Sequence, residues 1–126
     1  MTEEEWRNKT PRHPRQLNNI YEFLDEVRIR PGSWVRDRSL QHLDSMLLGY
    51  RVGGTIHGGK DEDDFAQTGD FSMWLWRRFD VDMNPQGWAV EIERAAEQAG
   101  KPPMDMFFTL LDAFRAERHG SAEAAR

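Results

Sequence analysis

The sequence predicts a mainly α-helical fold, a bundle of about five helices with one long glycine-rich loop, and three observations carry that prediction. Apolar residues recur at three- and four-residue spacing along most of the chain. Proline and glycine fall between those periodic stretches, where they punctuate helices. Strand-type alternation never persists beyond a few residues, a short pair around Thr55-Ile56 being the weak candidate. A length of 126 residues suits one domain, in which roughly two thirds of the unfolded chain's surface is buried. The expected division is an extended N-terminal arm over 1–16, a single helical domain over 17–118 and a frayed tail over 119–126.

The arm is polar and holds Pro11 and Pro14. Trp6 stands out in it, since a lone indole in a polar terminus docks on its own domain or on a second subunit. The first helix is expected from Leu17 to Arg30, capped by Asn18 or Asn19, with Ile20, Phe23, Leu24 and Val27 inward. Pro31-Gly32 should stop it, because the residue before proline is pushed out of the α region. A connector carrying Trp34 and Val35 follows. Asp37 or Ser39 then caps a second helix, Leu40 to Val52, whose stripe is Leu40, Leu43, Met46, Leu47 and Tyr50. Gly49 inside it suits close approach of another backbone or a ligand.

Residues 53–69 read as the long loop, with five glycines and an acidic run; loops of that length are often functional. Asp70 is expected to cap a third helix, Phe71 to Phe79, which is aromatic nearly all round. Asn84-Pro85 signals the start of a fourth helix, lined by Trp88, Ile92, Ala95, Ala96 and Ala99 and closed by Gly100. The fifth runs from Pro103 to Arg118 with Phe107, Leu110, Leu111 and Phe114 inward.

Composition narrows the function classes. The net charge is −5, against the basic stripe that a duplex nucleic-acid binder needs. Cysteine is absent, which removes disulfides, thiolate catalysis and cysteine-held metals. The acidic start MTEEEWRNKT does not have the form of a signal peptide, and no apolar run approaches the roughly 20 residues of a membrane span. A cytoplasmic protein without nucleic-acid or membrane partners is expected.

Few residues point to acid–base chemistry. His13, His42, His57 and His119 form no metal-ligand spacing, and no metal or cofactor is expected. His57, in the glycine loop, could act as a base or orient a ligand; as an exposed loop histidine it would do neither. The Asp61–Asp64 run lacks the alternation of a calcium loop and reads as a solvated charge cluster. Gly58-Gly59-Lys60 lacks the remainder of a phosphate loop. Glu91 and Glu93 look like outer-face acids. Arg77-Arg78 follows Trp74 and Trp76, and guanidinium beside indole either grips a peptide or carboxylate or packs at a core edge. The inventory is rich in aromatic and arginine surface, the pattern of a binder or of an enzyme that contributes shape.

The segments FLDEVRIRPGSWV, SLQHLDSMLLGYRVGG, GWAVEIERA and FFTLLDAF resemble a group of small actinobacterial helical proteins. Within that group the chain is similar to the lysinoalanine-forming proteins of duramycin and cinnamycin lanthipeptide biosynthesis. The resemblance spans roughly residues 20–116 and carries over no catalytic residue. It implies a cofactor-free, helical homodimer that binds a modified precursor peptide and guides a lysine amine onto a dehydroalanine, with the substrate's own hydroxyaspartate as base. Chemistry and location make Tyr50, His57, Trp74 and Arg77 the candidate contacts, with Trp34 and Phe71 as apolar walls. The alternative is a binding module without catalysis, such as an immunity protein that neutralises a basic toxin by electrostatic steering.

Overall fold

The computed structural model describes residues 1–59 and 63–124. It is mainly helical: α1 (Glu3–Arg7), α2 (Ile20–Ile29), α3 (Pro31–Trp34), α4 (Leu40–Ile56), α5 (Asp70–Phe79), α6 (Trp88–Ala99) and α7 (Pro103–Ala124), with no strand among the described residues. The chain divides into two compact units, residues 1–61 and 62–126.

In the first unit the arm is not extended. Thr2 accepts a hydrogen bond from the Glu5 amide and starts α1, and Pro14–Gln16 makes a 3-10 turn capped by His13. Local caps of this kind satisfy the amides that a helix start leaves free. Charge then ties the arm down. The Arg12 amide donates to Glu26 Oε1 at 2.6 Å and its guanidinium reaches Glu26 at 3.3 Å and Glu22 at 2.9 Å. The Arg12 pKa is raised, chiefly by the hydrogen bond to Glu26 and with burial opposing. Glu26 is 3% exposed, so the arm supplies the partners that a buried carboxylate requires. Trp6 docks within its own unit, with the Arg28 guanidinium 4.7 Å and the Lys9 amine 4.3 Å from its ring centre, and Arg28 bonds Glu3 at 2.7 Å.

Asn19 is the cap of α2, accepting from the Glu22 amide at 2.9 Å. Ile20, Leu24 and Val27 are buried as their spacing predicts, whereas Phe23 is half-buried. Pro31 ends α2 and, at the first position of a new turn, begins α3, which is where a missing amide costs least. Ser39 caps α4. Its Leu40, Leu43 and Leu47 are buried; Met46 is half-buried and Tyr50 is exposed.

Residues 53–56, expected as the start of the long loop, are helical. α4 continues through Gly53 and Gly54 to Ile56. It stops at Gly58, the residue with positive φ (76°), where Gly58 N bonds Thr55 O and Gly59 N bonds Gly54 O at 2.6 Å. Those two bonds close a helix end around a left-handed glycine. A glycine inside a helix costs only about 1 kcal/mol, so the earlier glycines do not end it. Gly49 has open space around it and no backbone approaches it. Lys60, Asp61 and Glu62, and the tail end at 125–126, lie outside the described residues.

The second unit is built on an aromatic core. Phe65, Phe71, Trp88 and Phe107 are buried. The Trp88 and Phe107 rings stack at 5.0 Å, and Phe71 meets Phe107 and Phe114 edge-on at 5.9 and 5.5 Å. Helix α7 packs on both α5 and α6, with Phe107, Leu110, Leu111 and Phe114 inward as expected. It runs to Ala124, beyond the expected end at Arg118.

Three further expectations shift in this unit. The cap of α5 is Gly69, which places Asp70 inside the first turn. Helix α6 starts at Trp88 after Gly87 (φ 94°), because Asn84 instead closes a turn with the Gln86 and Gly87 amides, each at 2.9 Å. Ala95 and Ala99 lie outside its buried face, which is Trp88, Ala89, Glu91, Ile92 and Ala96. Glu91 is buried, not an outer-face acid, and is held by Asn84 at 3.3 Å and by Arg94. That hydrogen bond is the main cause of a raised Arg94 pKa. Gly100 closes α6 in the left-handed conformation as predicted.

Candidate functional site

The strongest candidate is a groove of the second unit between α5 and α7, with a volume of about 570 Å³. Helical periodicity builds it. Asp70, Met73, Trp74, Arg77 and Arg78 stand at i, i+3, i+4, i+7 and i+8 on one face of α5, and Phe114, Glu117 and Arg118 at i, i+3 and i+4 on α7. The other face of α5, with Phe71 and Leu75, is sealed in the core.

Trp74 and Phe114 form the floor, with ring centres 5.7 Å apart. The Trp74 indole N–H donates to Glu117 Oε2, which fixes the indole edge and leaves the remaining carboxylate oxygen to accept from elsewhere. The Arg78 guanidinium lies 5.2 Å from the Trp74 ring centre, within cation–π range.

At one end Arg118 is held firmly. It bonds Asp64 at 2.9 Å, reaches Asp70 at 3.9 Å and lies 4.5 Å from the Phe114 ring centre. Asp64 is 4% exposed, so this member of the acidic run is a structural partner and not solvated charge. At the other end Arg77 and Arg78 are exposed and have no carboxylate partner among the described residues. Their place in the last turn of α5 suits the helix dipole.

The six residues singled out in the sequence are spread over both units. Trp74 and Arg77 line the groove together. Phe71 is 0% exposed and belongs to the core, so it cannot wall a cleft. Tyr50 lines a smaller, more apolar pocket of the first unit, about 320 Å³, with Phe23 and Met46. Trp34 packs edge-on against Phe23 at 5.4 Å. His57 is the exposed cap residue of α4. Sequence reasoning missed Met73, Glu117 and Arg118. The signal for the last two was present: they follow the inward Phe114 by three and four residues, one turn further along the same helix.

No group of three or more histidine and carboxylate side chains able to hold a metal occurs among the described residues. No helix among them is long and apolar enough to cross a membrane. Comparison with known families, curated proteins and solved structures returns no match, so the groove's own geometry carries the functional reading.

Proposed function

We propose that this protein is a peptide-binding protein that works through the α5–α7 groove, and that its peptide is a modified lanthipeptide precursor which it preorganises for lysinoalanine closure. One observation supports the reading above the others: an aromatic floor, Trp74 and Phe114, is bordered by charges of both signs, Arg77, Arg78 and Glu117. Indole and phenyl faces cover the aliphatic stems of a peptide's side chains, and the charges orient its polar ends.

The reaction itself asks for little machinery. A free lysine amine, with a pKa near 10.4, is mostly protonated at neutral pH. It must lose a proton before its nitrogen bonds the β-carbon of dehydroalanine, and the α-carbon then takes up a proton. Nothing leaves, so mass is conserved. The substrate's carboxylate serves as the base, and the protein contributes the pose. Holding two groups in reacting geometry is worth roughly 7–11 kcal/mol in favourable cases. The protein is proposed to act in the cytoplasm, without a cofactor and as a homodimer. The exposed stripe Leu48, Val52 and Ile56 on α4 provides apolar surface for self-association. Sedimentation at about twice the 14.8 kDa chain mass checks the last point.

The experiment is incubation with a dehydroalanine-bearing precursor. Reactivity towards an added thiol should disappear while the mass stays constant. Persistence of the thiol adduct at every protein concentration would overturn the catalytic part. A second reading, a toxin-neutralising immunity protein, is favoured by the net charge of −5. The groove speaks against a basic occupant, because Arg77 and Arg78 would repel it. Tight, salt-sensitive capture of a basic nuclease with loss of its activity would establish that reading instead.

A further inference from the structure

We propose that the segment Arg12–Asn18 is a charge-latched strap, which closes one wall of the apolar pocket of the first unit and swings off it as a body while α2 stays folded. The inference concerns the Tyr50 pocket and stands whether or not the α5–α7 groove binds a peptide.

The pocket has two kinds of wall. Phe23 of α2 and Met46 and Tyr50 of α4 form one side, and Pro14, Leu17 and Asn18 close the other. Buried apolar residues anchor the helices, Ile20, Leu24 and Val27 on α2 and Leu40, Leu43 and Leu47 on α4. The arm has no such anchor: none of residues 1–19, all of them among the described residues, is buried. Its hold is polar, and segments with few buried apolar contacts are the ones that open locally, well below the free energy of global unfolding.

Two carboxylates of α2 make the latch. Both oxygens of Glu26 accept from Arg12, one from its amide at 2.6 Å and the other from Nε at 3.3 Å. Glu22 holds the segment at its two ends. Its Oε1 accepts from Arg12 Nη1 at 2.9 Å and its Oε2 from the Asn18 amide at 3.2 Å. Pro14 and Leu17 lie between those two points. The segment's remaining bonds are internal: the His13 amide donates to Gln16 Oε1 at 2.9 Å, the Gln16 amide to His13 O at 2.8 Å and the Leu17 amide to Pro14 O at 3.1 Å. Pro14 also has a fixed φ. A loop bonded to itself and tied down through one pair of carboxylates moves as a unit. Access to the pocket is thereby linked to Arg12, a residue outside its lining.

The test is hydrogen–deuterium exchange of the full-length protein, followed residue by residue by NMR, in the wild type, Arg12→Gln and Arg12→Lys. The Asn18 amide should exchange about tenfold faster in Arg12→Gln, as expected when charge-assisted hydrogen bonds are lost. Arg12→Lys keeps the charge without the planar fork and should fall between the other two. The Leu24 amide, inside α2, should not change. The carbon-13 methyl signal of Met46, assigned with Met46→Leu, reports the pocket, and its relaxation by a soluble gadolinium chelate should rise in Arg12→Gln. An unchanged Asn18 amide would show that Arg12 does not hold the strap. Equal acceleration at Leu24 would make the arm an integral part of α2, and faster exchange at Asn18 with unchanged Met46 relaxation would mean that the segment does not gate the pocket; each of these results overturns the proposal.

Discussion

Trp88→Ala should destabilise the second unit by about 3–5 kcal/mol, the range for removing a fully buried large aromatic. Trp88 is 1% exposed, stacks on Phe107 at 5.0 Å and meets Phe65 and Phe71 at 5.9 Å each. Its loss would leave a cavity at the junction of α6, α7 and the turn before α5, where four large rings support one another. Typical domains are stable by only about 5–15 kcal/mol, so the expected loss is a large share of the total. Urea unfolding followed by near-ultraviolet circular dichroism checks it. Trp88→Phe is the instructive companion. The Trp88 indole N–H is buried and has no acceptor among the described residues, so phenylalanine removes an unsatisfied donor while keeping most of the ring contact. The phenylalanine variant should therefore lose much less than the alanine variant. Equal losses would mean that the indole N–H, and not the stacking, matters at this position.

Gly69→Ala should be the most damaging single-methyl addition in the chain, at about 1–3 kcal/mol for inserting a group into a well-packed site. The reason is space and not backbone conformation, since Gly69 has an ordinary φ of −71°. A Cβ there would fall against the Asp63 carbonyl oxygen and 2.5 Å from the Asp64 carbonyl group. These are backbone atoms and cannot swing aside. They are also committed elsewhere, because Asp64 O accepts from the Phe71 amide at 3.0 Å and the Asp64 carboxylate holds Arg118. A thermal melt of the variant should show a lowered midpoint, whereas Gly49→Ala, which meets open space, should be neutral or raise it by removing a helix-interior glycine. The reverse order would contradict the packing described for residues 63–69.

How much of this was legible in the sequence depends on what each feature rests upon. Helix content and most buried faces were, because periodicity at Leu24/Val27, Leu40/Leu43/Leu47 and Phe107/Leu111/Phe114 is set by backbone geometry alone. The cap of α6 at Gly100 was also readable. Boundaries that hinge on one glycine among several were not: Gly53, Gly54, Gly58 and Gly59 look alike, and only Gly58 takes the left-handed conformation that ends α4. Burial of charge was equally hidden. Glu26, Asp64 and Glu91 look like surface acids until Arg12, Arg118 and Asn84 with Arg94 are seen to meet them. Half of the groove was within reach, since Trp74 and Arg77 are one turn apart on an aromatic helix. On α7 the spacing after Phe114 marks Glu117 and Arg118 as one face, but which helix they meet is hidden, because pairing α5 with α7 joins Trp74 to a residue 43 positions away.

The central claim is that binding and closure depend on the shape and charge of the α5–α7 groove and not on a reactive group elsewhere. The most direct measurement is the rate of lysinoalanine closure in a dehydroalanine-bearing precursor for Trp74→Ala and His57→Ala, each with its peptide affinity. The groove account predicts that Trp74→Ala loses affinity and rate together while His57→Ala retains both. Full activity in Trp74→Ala, or a His57→Ala protein that binds normally yet does not turn over, would contradict it.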